Sequence, residues 1–369
     1  MLAIVAGTRP ELIKLSPVMR ACEQGDIPFF ILHSGQHYSH SMDRVFFEQL
    51  ELPAPKYNLH VGSGPHGRQT GQMLAGMEEV LLRDRPDAVV VQGDTNSTLA
   101  GALAAAKLGI PVGHVEAGLR SHDRRMPEEL NRMLVDRLSD WLFVPTPAAA
   151  EILRREGIPD SRILVTGNTI VDAVRQNLAI AQSRSDVLQR MRLASGEYLL
   201  ATIHRPENVD HAQRFAAILD GLRQAAAELG LPLVYPMHPR SRKMLELFGL
   251  DGTGLGICEP VSFLDFLMLE AHARLVLTDS GGVQEEACIL GVPCVTLRDN
   301  TERPETLEVG ANVLAGSDPE QIVMGCRRQI AARRGWQQPL GDGSAGQRIA
   351  RSLSGGPPLS PARCRSQPD

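Results

Sequence analysis

The sequence contains no long hydrophobic run, and aromatic residues make up only 4% of its 369 positions. No segment reaches the roughly 18 uncharged apolar residues that a membrane-spanning helix needs. The opening residues, MLAIVAGTRP, have the pattern of a first β-strand and not of a cleavable leader. Basic stripes and rows of aromatic side chains, which bind nucleic acids, are also missing. These absences predict a globular protein with neither a membrane nor a nucleic-acid partner.

The six cysteines are scattered along the chain, and none forms a CxxC pair. This spacing predicts reduced core thiols in a cytoplasmic protein and no metal site. Charge is nearly balanced as well, with a net value of −5 and no long run of one sign. An anionic ligand would therefore have to be attracted by a local cluster of cations.

A length of 369 residues exceeds what one hydrophobic core usually supports, so two domains are expected. We place the first domain at residues 1–168 and the second at residues 169–341. A helix at about 342–353 is expected to pack back on the first domain. The Gly-, Pro- and Ser-rich residues 354–369 are expected to form a disordered tail.

Short apolar runs alternate with amphipathic segments along most of the chain. Runs that are apolar throughout are typical of strands in a parallel sheet covered by helices on both faces. The chain also repeats itself, because VVVQGDTNSTLAGALAAAKLGIPVGHVEAG and LVLTDSGGVQEEACILGVPCVTLRD both have the pattern strand, polar turn, helix, strand. We therefore predict an α/β fold of two Rossmann-like doubly wound domains facing across a cleft, although two unrelated units can share this pattern by chance. Strands are expected at residues 2–5, 29–33, 88–92, 112–116, 142–145, 163–166, 199–203, 233–235, 275–277 and 294–297.

The second half of the chain contains a candidate phosphate site. The apolar run LVL is followed by the turn Ser280-Gly281-Gly282 and then by a helical pattern. A helix that begins at such a turn presents unpaired backbone N–H groups and the positive end of its dipole, and glycines let a phosphate come close. Glu286 is placed to accept hydrogen bonds from a ribose diol. The alternative is an ordinary strand-to-helix turn with acidic residues near its start.

Polar residues also follow several other predicted strands. Arg9 offers a bidentate fork for phosphate after the first strand, and Lys14 lies about one turn into the helix. Asp94 and Glu116 end two neighbouring strands, where two carboxylates can face one ligand. Each residue also has a structural explanation as a cap, a dipole partner or a solvated charge. The residues that follow strands or turns in the same way are Glu128, His204, Arg205, His238 and Arg303.

Eight ordered motifs between residue 4 and about residue 350 resemble the non-hydrolysing UDP-N-acetylglucosamine 2-epimerase family. The motifs are GTRPELIKLSPVM, SGQH, QGDTNSTLAGALAAAKLGIPVGHVEAGLRS, MPEELNR, TGNTIVDA, TIHRPENVD, MHPR and LTDSGGVQEEACILGVPCVTLRDNTERPE. The resemblance implies a glycosyltransferase-B arrangement, usually in a homodimer. It also implies interconversion of UDP-GlcNAc and UDP-ManNAc for cell-surface polysaccharide synthesis, with no metal or nicotinamide cofactor. In this family UDP leaves by anti elimination to give a 2-acetamidoglucal, and re-addition with the proton on the other face yields the epimer.

The resemblance further assigns roles to individual residues. The catalytic set that it implies is Asp94, Glu116, Glu128, His204, Arg9 and Lys14. The UDP-binding set that it implies is Arg205, His238, Ser280, Gly281, Gly282, Glu286 and Arg303. Some bacterial members bind a second UDP-GlcNAc as an activator, and the corresponding residues here are Gln36, His37, Arg68 and Gln69.

Other functions stay open at the level of sequence. The segments around Gln36 and Arg68 look more like a branch that includes enzymes acting on UDP-2,3-diacetamido-2,3-dideoxy-glucuronate. In that case Arg124 and Arg125 could pair with the C6 carboxylate, unless they are solvated loop charges. A glycosyltransferase of the same shape would bind UDP but would need an acceptor pocket. A non-catalytic UDP-sugar sensor would only bind, which the intact carboxylates argue against.

Overall fold

A computed structural model describes residues 1–36, 40–332 and 334–355, apart from the side chains of residues 40–44. His37, one of the residues predicted to bind an activator, and the predicted tail residues 356–369 lie outside the described residues. The chain forms two compact units, one of Met1–Ala173 with the segment from Leu340 onward, the other of Val174–Pro339. None of the helices in the described part of the chain combines the length and the apolarity needed to cross a lipid bilayer.

Strands of the first unit form one parallel sheet. They are β1 (Leu2–Ala6), β2 (Phe29–His33), β3 (Tyr57–Asn58), β4 (Ala88–Gln92), β5 (Val112–Val115), β6 (Trp141–Val144) and β7 (Ile163–Val165). Their order across the sheet is β3-β2-β1-β4-β5-β6-β7. Every residue of β1 and β4 is buried, as expected for strands that helices cover on both faces.

Helices of the first unit follow its strands. They are α1 (Arg9–Gln24), α2 (His40–Gln49), α3 (His66–Asp84), α4 (Asn96–Lys107), α5 (Pro127–Leu138) and α6 (Pro147–Arg155), with a 3-10 turn at Asp160–Arg162. The start of the first of them follows from its local sequence. Thr8 caps α1, Glu11 completes the capping box, and a proline occupies the first turn.

The second unit repeats the plan on a smaller parallel sheet. Its elements are α7 (Thr169–Arg184, which begins in the first unit), α8 (Val187–Arg190), β8 (Leu199–Thr202), α9 (Pro206–Val209), α10 (Ala212–Leu229), β9 (Leu233–Pro236), α11 (Pro239–Leu247), β10 (Ile257–Cys258), α12 (Phe263–His272), β11 (Leu275–Thr278), α13 (Gly281–Leu290), β12 (Cys294–Thr296), α14 (Pro304–Glu308), β13 (Asn312–Leu314) and α15 (Pro319–Ala331). The strand order is β10-β9-β8-β11-β12-β13. The prediction of two Rossmann-like doubly wound domains is therefore confirmed.

The order of the strands reverses at an equivalent place in both sheets. The order reverses between β1 and β4 in the first unit and between β8 and β11 in the second. Ligands of open parallel sheets bind beyond the carboxyl ends of the strands at this reversal. The residues that follow these four strands are therefore placed where a ligand would bind.

The last helix, α16 (Ala345–Ser354), belongs to the first unit and packs against α1. The Asp172 carboxylate accepts hydrogen bonds from the backbone N–H of Ala345 at 3.3 Å and of Gly346 at 3.0 Å. A Cβ atom on Gly346 would lie 2.6 Å from the carbonyl oxygen of Pro17, so only glycine allows this close approach. Ser354, placed in the tail by sequence, is the final residue of this helix.

Two details differ from the sequence expectation. The edge strands β3, β10 and β13 were not predicted, because two or three residues cannot display a hydrophobic period. The polar stretch of residues 171–192, whose pattern predicts one continuous helix, is interrupted between α7 and α8. There the Ser185 hydroxyl accepts a hydrogen bond from the Val187 N–H at 3.3 Å, and it also bonds the Asp265 carboxylate. A serine that satisfies the backbone locally in this way competes with the continuing helix.

Candidate active site

Glu11 joins the turn after β1 to the turn after β4. Its carboxylate accepts hydrogen bonds from the backbone N–H of Gly7 at 2.6 Å and of Thr8 at 2.7 Å. It also accepts the hydroxyl protons of Thr95 and Thr98 from the β4 side. Burial raises the pKa of Glu11, and these four hydrogen bonds act in the opposite direction. The two turns at the reversal of the sheet are thus tied to one buried carboxyl group.

Arg9 and Lys14 project from α1 into different surroundings. Arg9 is exposed, with its guanidinium carbon 5.7 Å from the centre of the Phe46 ring. Lys14 is mostly buried, and its Nζ atom lies 2.5 Å from Oε1 of Glu116. The Gln92 amide donates to the other carboxylate oxygen of Glu116. Lys14 therefore pairs with one of the predicted catalytic carboxylates.

Glu116 occupies a strained position at the end of β5. Its φ angle is +68°, in the left-handed region that non-glycine residues rarely adopt. Strain of this kind costs about 1–3 kcal/mol and persists where the surrounding structure fixes it. Here the contacts of its side chain with Lys14 and Gln92 supply that constraint.

Asp94 follows β4, the strand that pairs with β5. Its carboxylate contacts the guanidinium of Arg132 at 2.5 Å, and its backbone carbonyl accepts a hydrogen bond from the Asn131 amide at 2.8 Å. Arg132 is held in turn by the buried Glu129 at 2.8 Å. Asn131, Arg132 and Glu129 were not singled out from the sequence, although all three belong to the motif MPEELNR.

Glu128 lies in the first turn of α5 and is partly exposed. Within the described residues no side chain forms an ion pair or hydrogen bond with it. The first unit thus carries the three predicted carboxylates in different settings, with Glu116 on a lysine, Asp94 on an arginine and Glu128 open to a ligand.

In the second unit, Asp279 fixes the residues that follow β8. This buried carboxylate accepts hydrogen bonds from the backbone N–H of His204 at 3.1 Å, from that of Arg205 at 2.9 Å and from the Asn208 amide at 3.0 Å. The His204 ring lies near it as well, with Nδ1 at 3.3 Å. Burial raises the pKa of Asp279, but His204 and the other donors lower it by more, so its carboxyl stays ionised. This ion orients His204 and Arg205 at the carboxyl end of β8.

The Ser280-Gly281-Gly282 turn starts α13, as the sequence predicts. The Ser280 hydroxyl does not cap the helix, and Gly282 is exposed. The nearest neighbour of a Cβ atom on Gly281 would be Oε2 of Glu302, at 3.8 Å. Open space beside uncapped N–H groups is the geometry that admits a phosphate.

Two predicted UDP-binding residues, His238 and Arg303, also have structural partners. Nδ1 of His238 accepts the Arg240 N–H at 3.2 Å and so caps α11, and its ring centre is 5.8 Å from that of His204. Burial, followed by the charges of His204 and Arg240, lowers the pKa of His238. Nε of Arg303 lies 2.8 Å from Oε1 of the buried Glu285.

Glu286, the predicted ribose-binding residue, is partly exposed on α13. The side chain that faces it is Glu270 of α12, which is completely buried. Burial, the negative charge of Glu286 and a hydrogen bond with it together raise the pKa of Glu270 well above its usual value. Glu270 was not identified from the sequence, because nothing distinguishes a carboxyl in the helical run FLDFLMLEAH from a solvated one.

Residues predicted to bind an activator lie near α3 and α4. Gln69 is buried, donates to the Gly62 carbonyl at 2.7 Å and accepts from the Asn96 amide at 2.8 Å. Gln36 accepts a hydrogen bond from the Ser97 hydroxyl at 2.7 Å. Arg68 is exposed and lines a cavity of about 230 Å³ beside Gln69. Activator binding stays a prediction.

Two doubly wound units, whose strand orders match apart from the additional β7 of the first, define an α/β protein of the glycosyltransferase-B type. The chain belongs to the UDP-N-acetylglucosamine 2-epimerase family, whose model matches residues 20–354. Its relatives are named UDP-N-acetylglucosamine 2-epimerases, which are isomerases, and this chain is an isomerase as well.

Relatives at high identity span the whole chain. A UDP-N-acetylglucosamine 2-epimerase of Methanocaldococcus jannaschii is 53% identical over 362 residues, covering 96% of this chain and 99% of the relative. A UDP-2,3-diacetamido-2,3-dideoxy-D-glucuronate 2-epimerase of Pseudomonas aeruginosa is 43% identical, covering 95% and 98%. The crystal structure of the M. jannaschii enzyme in complex with UDP-GlcNAc and UDP has a TM-score of 0.86 to this chain at 53% identity, covering 96% and 99%.

Proposed function

We propose that this chain is a non-hydrolysing 2-epimerase that interconverts UDP-GlcNAc and UDP-ManNAc. The observation that carries the proposal is the placement of two carboxylates at the ends of neighbouring strands, each in an ion pair. Glu116 follows β5 and pairs with Lys14, and Asp94 follows β4 and pairs with Arg132. The M. jannaschii relative, crystallised with UDP-GlcNAc and UDP, supports the choice of substrate.

The chemistry explains why carboxylates are needed. The C2 hydrogen is not adjacent to a carbonyl group, so it becomes acidic only as UDP departs and positive charge develops at C1. Carboxylates can stabilise that charge and move a proton on each face of the sugar. Asp94, Glu116 and Glu128 are the groups that we assign to these tasks. The C2–H electrons form the C1–C2 double bond while the C1–O bond breaks, and UDP retains the bonding pair.

The departing diphosphate needs positive charge, which Arg205 and the start of α13 can supply. We assign His204 as the group that contacts the leaving phosphate, because Asp279 fixes its position. Arg303, His238 and the Ser280-Gly281-Gly282 turn complete the UDP site.

A second substrate deserves a test. The P. aeruginosa relative is named for UDP-2,3-diacetamido-2,3-dideoxy-D-glucuronate, and the loop before α5 supplies cations that could bind a C6 carboxylate. Arg125 is already paired with Asp123 at 2.8 Å, whereas Arg124 is exposed and has no ion pair within the described residues. Arg124 is thus the residue on which this alternative depends.

Isotope incorporation tests both substrates. The protein is incubated with UDP-GlcNAc in D₂O, and the sugar is followed by NMR. We expect a manno isomer that carries deuterium at C2. Absence of both the isomer and the deuterium would refute the proposal. A parallel reaction with the diacetamido-glucuronate donor decides between the substrates, because the proposal requires faster turnover of UDP-GlcNAc.

A further inference from the structure

His114 contacts the backbone just before a proposed catalytic residue. This histidine of β5 is completely buried. Its Nε2 atom lies 2.8 Å from the carbonyl oxygen of Gly93, the residue between β4 and Asp94. Its Nδ1 atom lies 2.7 Å from Oδ1 of Asp136 on α5. Both ring nitrogens are therefore engaged.

The Asp136 carboxylate belongs to a chain of charges that extends outward through the first unit. Its second oxygen lies 2.7 Å from Nη1 of Arg120 and accepts the Gly118 N–H at 3.2 Å. Arg120 binds Glu156 through two hydrogen bonds of 2.8 Å. Only Glu156, with 30% of its side chain exposed, reaches solvent.

The charges in this chain alternate in sign. Burial raises the pKa of Asp136, but its contacts with His114 and Arg120 lower it by more. Ion pairs buried this deeply contribute little stability compared with apolar residues of the same size, although breaking one is costly. A contribution to stability therefore does not by itself explain why this buried network of charges lies beside β4 and β5.

The acceptors on either side of the His114 ring determine its hydrogen bonding. A backbone carbonyl can only accept, so Nε2 must carry a proton and donate it to Gly93. On the other side of the ring, Oδ1 of Asp136 lies within hydrogen-bond distance of Nδ1. Asp136 consequently fixes the ring plane, and the ring in turn holds the Gly93 peptide.

Gly93 occupies a turn that connects two proposed catalytic carboxylates. Its φ angle is +73°, and its N–H donates to the Val115 carbonyl at 3.1 Å. Asp94 follows directly in sequence. A Cβ atom on Gly93 would lie 3.9 Å from Oε2 of Glu116. The orientation of the Gly93 peptide therefore bears on Asp94 and Glu116 together.

We propose that His114 is a positioning residue whose Nε2–H bond to the Gly93 carbonyl sets Asp94 and Glu116 in the geometry needed for turnover. The proposal rests on the proposed function, since it assumes that these two carboxylates act on the sugar. Displacing a catalytic group by about 1 Å costs on the order of 100-fold in rate. Substrate binding by the second unit is not affected.

Two substitutions separate positioning from general structural support. In His114→Gln the amide nitrogen takes the place of Nε2, so the donor to Gly93 is kept and the contact with Oδ1 of Asp136 is lost. In His114→Asn the amide nitrogen takes the place of Nδ1, so Asp136 keeps its partner and Gly93 loses its donor. His114→Gln removes one donor from the buried Asp136 carboxylate, which keeps Arg120 and the Gly118 N–H, and this costs more stability than removing the donor to the Gly93 carbonyl. We therefore expect Asn to be the more stable variant and Gln to be the more active one.

The measurements are kcat and KM for UDP-GlcNAc epimerisation, the melting temperature and UDP affinity by titration. We expect kcat to fall on the order of 100-fold in His114→Asn and by less than about tenfold in His114→Gln, with KM and UDP affinity within about threefold of wild type. Equal loss of kcat in both variants, or a loss that follows the melting temperature, would overturn the proposal.

A matched control lies at the opposite end of the same strand. The carboxylate of the largely buried Asp140 accepts the Val112 N–H at 2.9 Å, at the amino end of β5. Asp140→Asn should lower the melting temperature and leave kcat unchanged. A fall in kcat there as large as in His114→Asn would mean that any disturbance of β5 impairs turnover.

Hydrogen exchange separates failure of this inference from failure of the proposed function. If wild type does not epimerise UDP-GlcNAc, the proposed function falls, but exchange of the amides at residues 93–96 still reports on the turn. We expect faster exchange there in His114→Asn than in His114→Gln. Equal exchange in the two variants would refute the positioning role whatever the enzyme's substrate.

Discussion

Nζ of Lys14 lies 2.5 Å from Oε1 of Glu116, although 102 residues separate the two in sequence. The pair brings the first helix of the chain to the end of β5 and supplies the cation that a buried carboxylate requires. It also fixes the Glu116 side chain beside the strained backbone that presents it. The contact joins α1 to the strand end where we propose that Glu116 acts on the sugar.

Removing the charge of a catalytic carboxylate should abolish most turnover. Loss of a general acid or base costs about 10²- to 10⁴-fold in rate. We expect losses in that range for Asp94→Asn, Glu116→Gln and Glu128→Gln, measured as epimer formation by NMR, with circular dichroism unchanged. Glu151→Gln, at a surface position on α6 with 49% of its side chain exposed, serves as the control and should behave as wild type. A variant with wild-type turnover would remove its residue from the catalytic set.

Truncating the predicted ribose contact should weaken UDP binding. Glu286→Ala removes a carboxylate that would accept two hydroxyl protons, and hydrogen bonds to charged groups contribute about 1.5–3 kcal/mol. We expect UDP affinity in a calorimetric titration to fall roughly 10- to 100-fold. Glu305→Ala, on α14, should leave the affinity unchanged. Equal UDP affinity in Glu286→Ala and wild type would rule out the ribose role.

Glu270 should make stability depend on pH in a characteristic direction. Burial, the charge of Glu286 and the hydrogen bond between them raise its folded-state pKa above the ordinary value of 4.5, and the other titratable groups beside it are Tyr198 and Cys294. Its contribution to stability is therefore complete below about pH 4.5 and declines as the pH rises toward the folded-state pKa. Glutamine cannot ionise, so Glu270→Gln should gain stability relative to wild type between pH 5 and pH 8.

The measurement for Glu270 is the melting temperature of both proteins across that pH range. For domains of this size, each kcal/mol regained raises the midpoint by roughly 2–4 °C. Glu259→Gln, with 83% of its side chain exposed, should follow the wild-type curve. A constant difference between Glu270→Gln and wild type at every pH would contradict the assignment of a buried neutral carboxyl.

Two glycines in helices should respond oppositely to alanine. Gly346→Ala places a methyl group against the Pro17 carbonyl oxygen, so we expect destabilisation of about 1–3 kcal/mol despite the helix propensity of alanine. A Cβ atom on Gly71 in α3 would meet nothing within 4 Å among the described residues, so Gly71→Ala should stabilise by about 0.5–1 kcal/mol. Urea titration of both variants provides the measurement. Stabilisation by both substitutions would mean that α16 does not dock as described.

The fold follows from the sequence where local signals repeat. Apolar runs followed by a Gly, Asp or Ser turn predicted the long strands, and the match between the two halves predicted two doubly wound sheets. Thr8 and Glu11 have the spacing of a capping box at the start of α1, but this local pattern does not indicate that Glu11 also reaches Thr95 and Thr98. That contact depends on the pairing of β1 with β4, which no local pattern encodes.

In the candidate site, too, local sequence predicted some features and others depend on packing. Strand-end position indicated Asp94 and Glu116, yet their partners Arg132 and Lys14 follow only from packing. His114 and Asp136 were not recognised, since a histidine in a run of apolar residues has the same pattern whether it fills space or donates a hydrogen bond. Glu270 was not predicted from the sequence, because the burial of its carboxyl group results from how the elements of the second unit pack together.

The return of α16 to the first unit has a consequence for synthesis on the ribosome. Domains generally fold in order from the amino terminus as the chain emerges. Here α1 must wait for its covering helix until every residue of the second unit has been translated. The later-made half can therefore finish folding before the earlier-made half, and a nascent chain stalled short of Ala345 would expose the side of α1 that α16 otherwise covers.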